Sequence, residues 1–362
     1  VRGPPRWRAR LRRAGQFAEE SLALAHGGPP WHRGILAVFS LVAAVLIGLA
    51  AGFQDAVVIA PALAFFLTLA DTEGPLVRRF AMLSWSACWI ALAGVASILL
   101  QDVLWLFALA FAVLTLLAGL AAWAGPPFLQ ASRFGLIVGL LLTNVRGVGV
   151  GQFLILWSAA VSLVALLRAL ENLLAPDLNT GDYATLRQAW FKVRAARPLL
   201  WRFASSYVAV ASLGWTLGRL IDQIHPTWLT VSTLVVMWPD VARSYQRIVQ
   251  RVFGTLTGGV TSLALITLLP NPLVLSAVAL AMAFFLPHFV RRNYWLHSAL
   301  VVVFVMVALD VSAHSDFTPR VVAERIGDVL LGCAFAMLGT VLAFGRSWRR
   351  ARRALSTGDP NR

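Results

Sequence analysis

Apolar residues fill this chain in long runs separated by short polar breaks. A run of about 20 is what a helix needs to cross the ~30 Å hydrocarbon layer of a bilayer. In the first half the runs fall near 34–52, 56–70, 80–100, 103–123, 128–145 and 150–167. A polar stretch follows, with Asp177, Asn179, Gly181 and Asp182 near its middle, and the second half gives 199–219, 227–238, 252–270, 272–290, 294–311 and 321–345. The pattern predicts an all-α polytopic membrane helix bundle with about 12 transmembrane helices.

The halves share a layout. Each opens on an arginine (Arg33, Arg202), meets a polar break at Gln54–Asp55 or Asp222 to His225, and continues with a short apolar run that ends at Asp71 or Asp240. A basic stretch and a helix of small residues come next. An even number of spans per half gives both the same orientation, so the expected organisation is two parallel six-helix repeats related by an axis along the membrane normal. The expected boundaries are a basic cytoplasmic segment 1–33, a first and degenerate repeat 34–167, a short cytoplasmic linker 168–198, a second repeat 199–345 and a basic cytoplasmic tail 346–362. Residues 56–70 carry Pro61, and 227–238 stops at Pro239. Short or interrupted segments at matching places in two halves either mark a substrate site or are tilted spans.

Composition agrees with a membrane protein: 59% hydrophobic residues, 13% charged and a mean hydropathy of +0.75, against roughly 25% charged in a soluble domain. The net charge of +15 raises nucleic-acid binding as a possibility, but the basic residues occupy alternate loops and both tails. That is the positive-inside pattern; it puts both termini in the cytoplasm and needs no nucleic acid. Arg2 to Arg13 lead into Glu19 and Glu20, unlike a signal peptide. Cys88 and Cys333 are expected to be buried small residues. No spacing predicts a metal site or a cofactor, and no GxxxxGK[ST], HExxH or GxSxG motif points to an enzyme.

Two constellations carry candidate chemistry. In WPDVARSYQRIVQRVFGTLTGG (Trp238 to Gly259), Arg243, Arg247 and Arg251 recur at a spacing that puts them on one helix face. We read them as a short basic loop feeding an apolar helix, either an anion-attracting mouth or ordinary topology. Asp240 is expected to cap that loop helix or to pair with Arg243. Gly254, Gly258, Gly259 and, later, Gly332 read as helix-packing positions. In the last helix Glu324, Arg325 and Asp328 fall within one turn, where they form either a gate or proton-coupling site or a structural ion-pair lock. Arg291, Arg292, Asn293 and Tyr294 read as interfacial anchors, and Asn144 with Arg146 as an exit-side polar contact.

Three pieces in order resemble one family: WPD with QRxxGTxxGG (Trp238 to Gly259), RRNYW (Arg291 to Trp295) and AERIGDVLLGCAFAMLGT (Ala323 to Thr340). Over about 199–345 the chain resembles the fusaric acid resistance and aromatic acid exporter family of bacterial inner-membrane transporters, and more distantly the plant aluminium-activated malate transporters. The first half shares only the layout: RRFAMLSWSA (Arg78 to Ala87) lacks the Gly-Thr pair. Large exporters of the family carry an extensive cytoplasmic domain between their membrane halves, where this chain has only a short linker. The resemblance implies a secondary transporter exporting organic, above all aromatic, carboxylate anions from the cytoplasm, with proton coupling left open. A passive anion channel and a non-transporting membrane scaffold remain the alternatives. The implied partners are the lipid bilayer and a small organic anion, with a homo-oligomer or an accessory envelope protein also open.

Overall fold

The computed structural model describes residues 22, 31–50, 52, 56–72, 75–145, 147–174, 197–221, 226–313 and 319–357. The polar breaks at Gln54–Asp55 and Asp222 to His225, the centre of the linker, Arg146 and most of the N-terminal segment lie outside the described residues. So do the side chains of Arg291, Arg292 and the basic tail.

The described residues form twelve α-helices and no strand. In the first half these are α1 (Trp31–Ala50), α2 (Ala56–Leu69), α3 (Leu76–Leu100), α4 (Leu104–Ala121), α5 (Pro126–Leu142) and α6 (Val150–Leu174). In the second they are α7 (Arg197–Ile221), α8 (Trp228–Val236), α9 (Val241–Leu268), α10 (Pro272–Arg292), α11 (Tyr294–Ala313) and α12 (Pro319–Thr357). Eight are long and apolar enough to cross a membrane: α1, α3, α4, α6, α9, α10, α11 and α12. The protein is therefore a multi-pass membrane protein. Of the other four, α2, α5 and α8 have 14, 17 and 9 residues. α7 has 25 residues but is more polar. At about 1.5 Å per residue α8 rises only about 14 Å, less than half the hydrocarbon thickness.

Size, rather than polarity alone, decides which side chains turn inward. On α1 the buried positions are Gly34, Ala37, Ser40, Ala44 and Gly48, while Ile35, Phe39 and Leu46 are exposed. On α9 the buried face includes Ser244, Gly254, Thr255, Gly258, Gly259 and Ser262, while Phe253, Leu256 and Val260 point out. Lipid tails are as apolar as leucine, so burying leucine between helices gains little; small residues gain backbone approach and van der Waals contact. Cys333 is buried, but Cys88 is exposed, which corrects the expectation for the latter: it lies on the outward face of α3.

Neighbour order is alike in the two halves. In the first, α1, α2 and α6 pack together, α6 also meets α3, and α3 lies against α5, which touches α4. In the second, α7, α8 and α12 pack together, α12 meets α9, and α9 lies against α11, which packs on α10. Across the seam α4 lies on α7 and α10 on α1. Phe65 of α2 stacks across the seam on Phe304 of α11 at 5.6 Å between ring centroids, and beside it Phe66 meets Phe134 of α5, within the first half, at 5.2 Å.

One boundary differs from expectation. The basic stretch before residue 252 is not a loop: α9 begins at Val241, because the Asp240 carboxylate accepts hydrogen bonds from the Ala242 and Arg243 amides, at 2.8 and 3.4 Å. The start of the linker is helical, as α6 runs on to Leu174 with Arg168 and Glu171 buried.

The α9–α11 contact sets a clear test. A Cβ on Gly254 or Gly258 meets the Trp295 or Ala299 carbonyl, whereas one on Gly327 of α12 meets nothing within 4 Å. Gly258→Leu is expected to cost about 1–3 kcal/mol and to lower the thermal midpoint in detergent by several degrees, while Gly327→Ala leaves it in place.

Candidate functional site

Three buried polar groups interrupt the apolar interior. The first surrounds the end of α8. That helix stops at Val236, and Met237 turns to an extended backbone, leaving the last carbonyls of a short helix without intrahelical partners. Arg133 of α5 reaches across the seam to supply them: it donates to the Met237 carbonyl, to the Val235 carbonyl at 3.4 Å, and through Nε to the Tyr207 hydroxyl at 3.0 Å. Tyr207 of α7 donates in turn to the Leu234 carbonyl at 3.0 Å. The Arg133 guanidinium also lies 4.8 Å from the Trp238 ring centroid.

Trp238 gathers two further guanidiniums. Arg243 sits 4.4 Å from its centroid and Arg247 5.4 Å; Arg247 is also 3.8 Å from the centroid of Tyr294. Cation–π contacts of this kind contribute roughly 0.5–2 kcal/mol, more where water is excluded. Ser244 holds the Trp238 backbone in place, its hydroxyl accepting from the amide at 2.9 Å and donating to the carbonyl at 3.0 Å.

The second group lies deeper along α9. Arg243 is exposed, Arg247 half-buried and Arg251 buried, so the three guanidiniums descend into the bundle at steps of about 6 Å. Arg251 donates to Ser298 of α11 at 3.2 Å. Arg325 of α12, also buried, stacks 4.5 Å from the centroid of Trp228, and Asp328 is buried one turn further along α12. Glu324 does not join them: it pairs with Arg320 at 2.7 Å at the surface of the helix. The expected Glu324–Arg325–Asp328 cluster is thus split, because α12 turns Glu324 outward and its neighbours inward. Asp240 has the capping role given above. Gly332 lies against Leu229 and Ser232 of α8, and Gly259 against Val322 of α12. At the other end of α8, Asn144 donates to Thr227 at 3.3 Å.

The third group is in the first half, and the sequence reading missed it. Arg79 of α3 makes a two-pronged pair with Asp71, at 3.1 and 2.8 Å, and also meets Glu171 of α6. Arg168 lies 2.8 Å from Asp71 and donates to the Thr68 carbonyl at 3.3 Å. His32 of α1 approaches Glu171 at 3.2 Å. Asp71 lies just outside α2. Burial alone pushes its pKa up, but the Arg168 charge and the Arg79 charge and hydrogen bond hold it below the ordinary 3.8. The signal was present in the charges themselves: Arg79 and Arg168 flank apolar runs, and each has a carboxylate on a neighbouring helix end.

Against known proteins, residues 213–339 match the family described as fusaric acid resistance protein-like. That stretch runs from α7 to α12 and contains Trp238, all three α9 arginines, Arg325 and Asp328. It supports the resemblance read from the second half, and together with the membrane-spanning helices it fits a membrane transporter. An uncharacterised protein of Synechocystis sp. is 26% identical over 136 residues, which is 35% of this chain and only 17% of that protein. No solved structure matches the chain.

Two outcomes follow. Arg79→Met leaves two buried carboxylates short of a cation and is expected to cost roughly 3–5 kcal/mol, whereas Arg320→Ala, in the exposed pair, costs about 0–1 kcal/mol; thermal unfolding of both in detergent compares them. In the pH dimension, the stability Asp71 contributes is complete above its ordinary pKa of 3.8 and is lost as pH falls through its lower folded value. Asp71→Asn therefore destabilises at neutral pH and flattens the acid limb of a stability–pH curve.

Proposed function

We propose that the chain is a secondary transporter of the bacterial inner membrane, both termini cytoplasmic, that exports organic and above all aromatic carboxylate anions. The observation that carries this reading is the line of arginines on α9. Among the described residues neither Arg243 nor Arg247 forms an ion pair; their charge rests on the faces of Trp238 and Tyr294. A guanidinium stacked on a ring keeps its N–H edge free for an anion, and the same rings offer a stacking face to an aromatic acid. Arg251, deeper in the bundle, continues the attraction inward.

The two halves are read as parallel repeats, with the pathway on the second-half side of the seam and the Phe65–Phe304 stack closing it at mid-height. In the first half the corresponding charges are spent on one another in the Asp71–Arg79–Arg168–Glu171 network, so that half supplies a frame. If export is proton-coupled, Asp328 is the carboxylate placed to take part, because Glu324 faces outward with Arg320.

The test is uptake of radiolabelled 4-hydroxybenzoate into inside-out vesicles, with and without an imposed proton gradient. Wild type is expected to show saturable uptake stimulated by the gradient. Arg247→Ala removes a charged donor worth about 1.5–3 kcal/mol, a loss of roughly tenfold or more in transport at limiting substrate; Arg251→Ala, which acts on the acid only through its field, gives a smaller loss. Glu324→Gln is expected to keep the gradient stimulation and Asp328→Asn to lose it; stimulation that survives in both removes the coupling. Non-saturable flux that follows only the anion's own gradient assigns a channel, and no flux from folded protein overturns the proposal.

A further inference from the structure

Arg251 and Arg325 are two buried guanidiniums with donor groups left over. Both side chains are 4% exposed. Arg251 Nε and both Nε and Nη1 of Arg325 have no hydrogen-bond partner. Arg251 lies on α9 and Arg325 on α12, helices that pack on each other with Gly259 against Val322 and Ile326, and like charges brought together away from water repel. Among the described residues these two guanidiniums stand against one carboxylate, Asp328, an excess of one positive charge. His297 and Cys333 are also buried, but an imidazole and a thiol bring no negative charge at neutral pH. His297 is engaged with the Leu286 carbonyl at 3.1 Å. A buried net charge of this kind costs several kcal/mol unless it is paired, and the first-half network, with its matched carboxylates, shows how this chain settles the same problem elsewhere.

We propose that Arg251 and Arg325 bind one small monovalent anion, of which chloride is the representative, between α9, α11 and α12. The Thr255 hydroxyl, buried one turn beyond Arg251 and without a partner, supplies a further donor. The seat is small because Gly254 and Gly258 bring α9 so close to α11 that a methyl group strikes the Trp295 and Ala299 carbonyls. An aromatic ring has no place there. The occupant is therefore distinct from an acid carried past Trp238, and the binding does not depend on the transport reading.

The measurement is binding of radiolabelled chloride to the purified full chain by equilibrium dialysis, paired with thermal stability in chloride against gluconate at equal ionic strength. Wild type is expected to bind close to one chloride per chain and to melt higher in chloride. Arg325→Met removes one of the two guanidiniums; it is expected to lose chloride binding and to melt at the same temperature in both salts. Asp328→Asn leaves two uncompensated guanidiniums and is expected to widen the chloride–gluconate gap. A merely structural arginine pair predicts neither sign. Wild type that binds no chloride, or Arg325→Met that binds as wild type does, overturns the site. Displacement of the label by 4-hydroxybenzoate with one-to-one competition also overturns it, by showing a seat that takes a bulky carboxylate. These readouts stand whether or not the vesicles move any acid.

Discussion

A guanidinium buried in a lipid-embedded bundle must find something to meet its charge, and this chain does so in three ways. Arg79 and Arg168 meet carboxylates. Arg133 meets helix-end carbonyls and a phenol. Arg243 and Arg247 meet ring faces. These solutions differ in what they leave over. A matched ion pair is saturated, whereas a ring face neutralises nothing and leaves the positive field in place. Layout is similar in the two halves, but Arg79 and Arg168 of the first are matched by carboxylates whereas Arg243 and Arg247 of the second lie on ring faces.

The packing that encloses these groups rests on small residues. Gly254 and Gly258 let α9 lie on α11, and Gly332 lets α12 lie on α8. Each is a position where backbone meets backbone or a short side chain, so the polar groups sit among helices with little freedom to shift. Positioning at this precision suits binding that depends on where a charge sits.

Much of the fold was legible in the apolar runs. Their number, order and approximate bounds reappear as α1 to α12, because within lipid every backbone group must be satisfied inside its own helix. The misjudged start of α9 has a local cause: the side chain of Asp240 starts the helix eleven residues before its apolar stretch begins. Ion pairing lets α6 carry Arg168 and Glu171 inward past the end of its own apolar stretch. Site residues were less legible. Periodicity placed Arg243, Arg247 and Arg251 on one helix, but their different depths come from tertiary packing. The same is true of Glu324 and Arg325, adjacent in sequence and opposite in fate, since α12 faces α8 and α9 on one side only. Arg133 read as one more positive-inside residue; its role depends on where α8 ends, which no pattern in α5 reveals.

That last contact also has a mechanical meaning. Arg133 is anchored in one half while the carbonyls it holds, at Val235 and Met237, belong to the other, together with Tyr207. Separating the halves at this level strips several hydrogen bonds from a guanidinium that no water reaches, while flexing them apart at the opposite end strips none of these. The bond set therefore ties the two halves firmly at this level, whereas at the far ends of α5 and α8 Asn144 and Thr227 share one hydrogen bond of 3.3 Å.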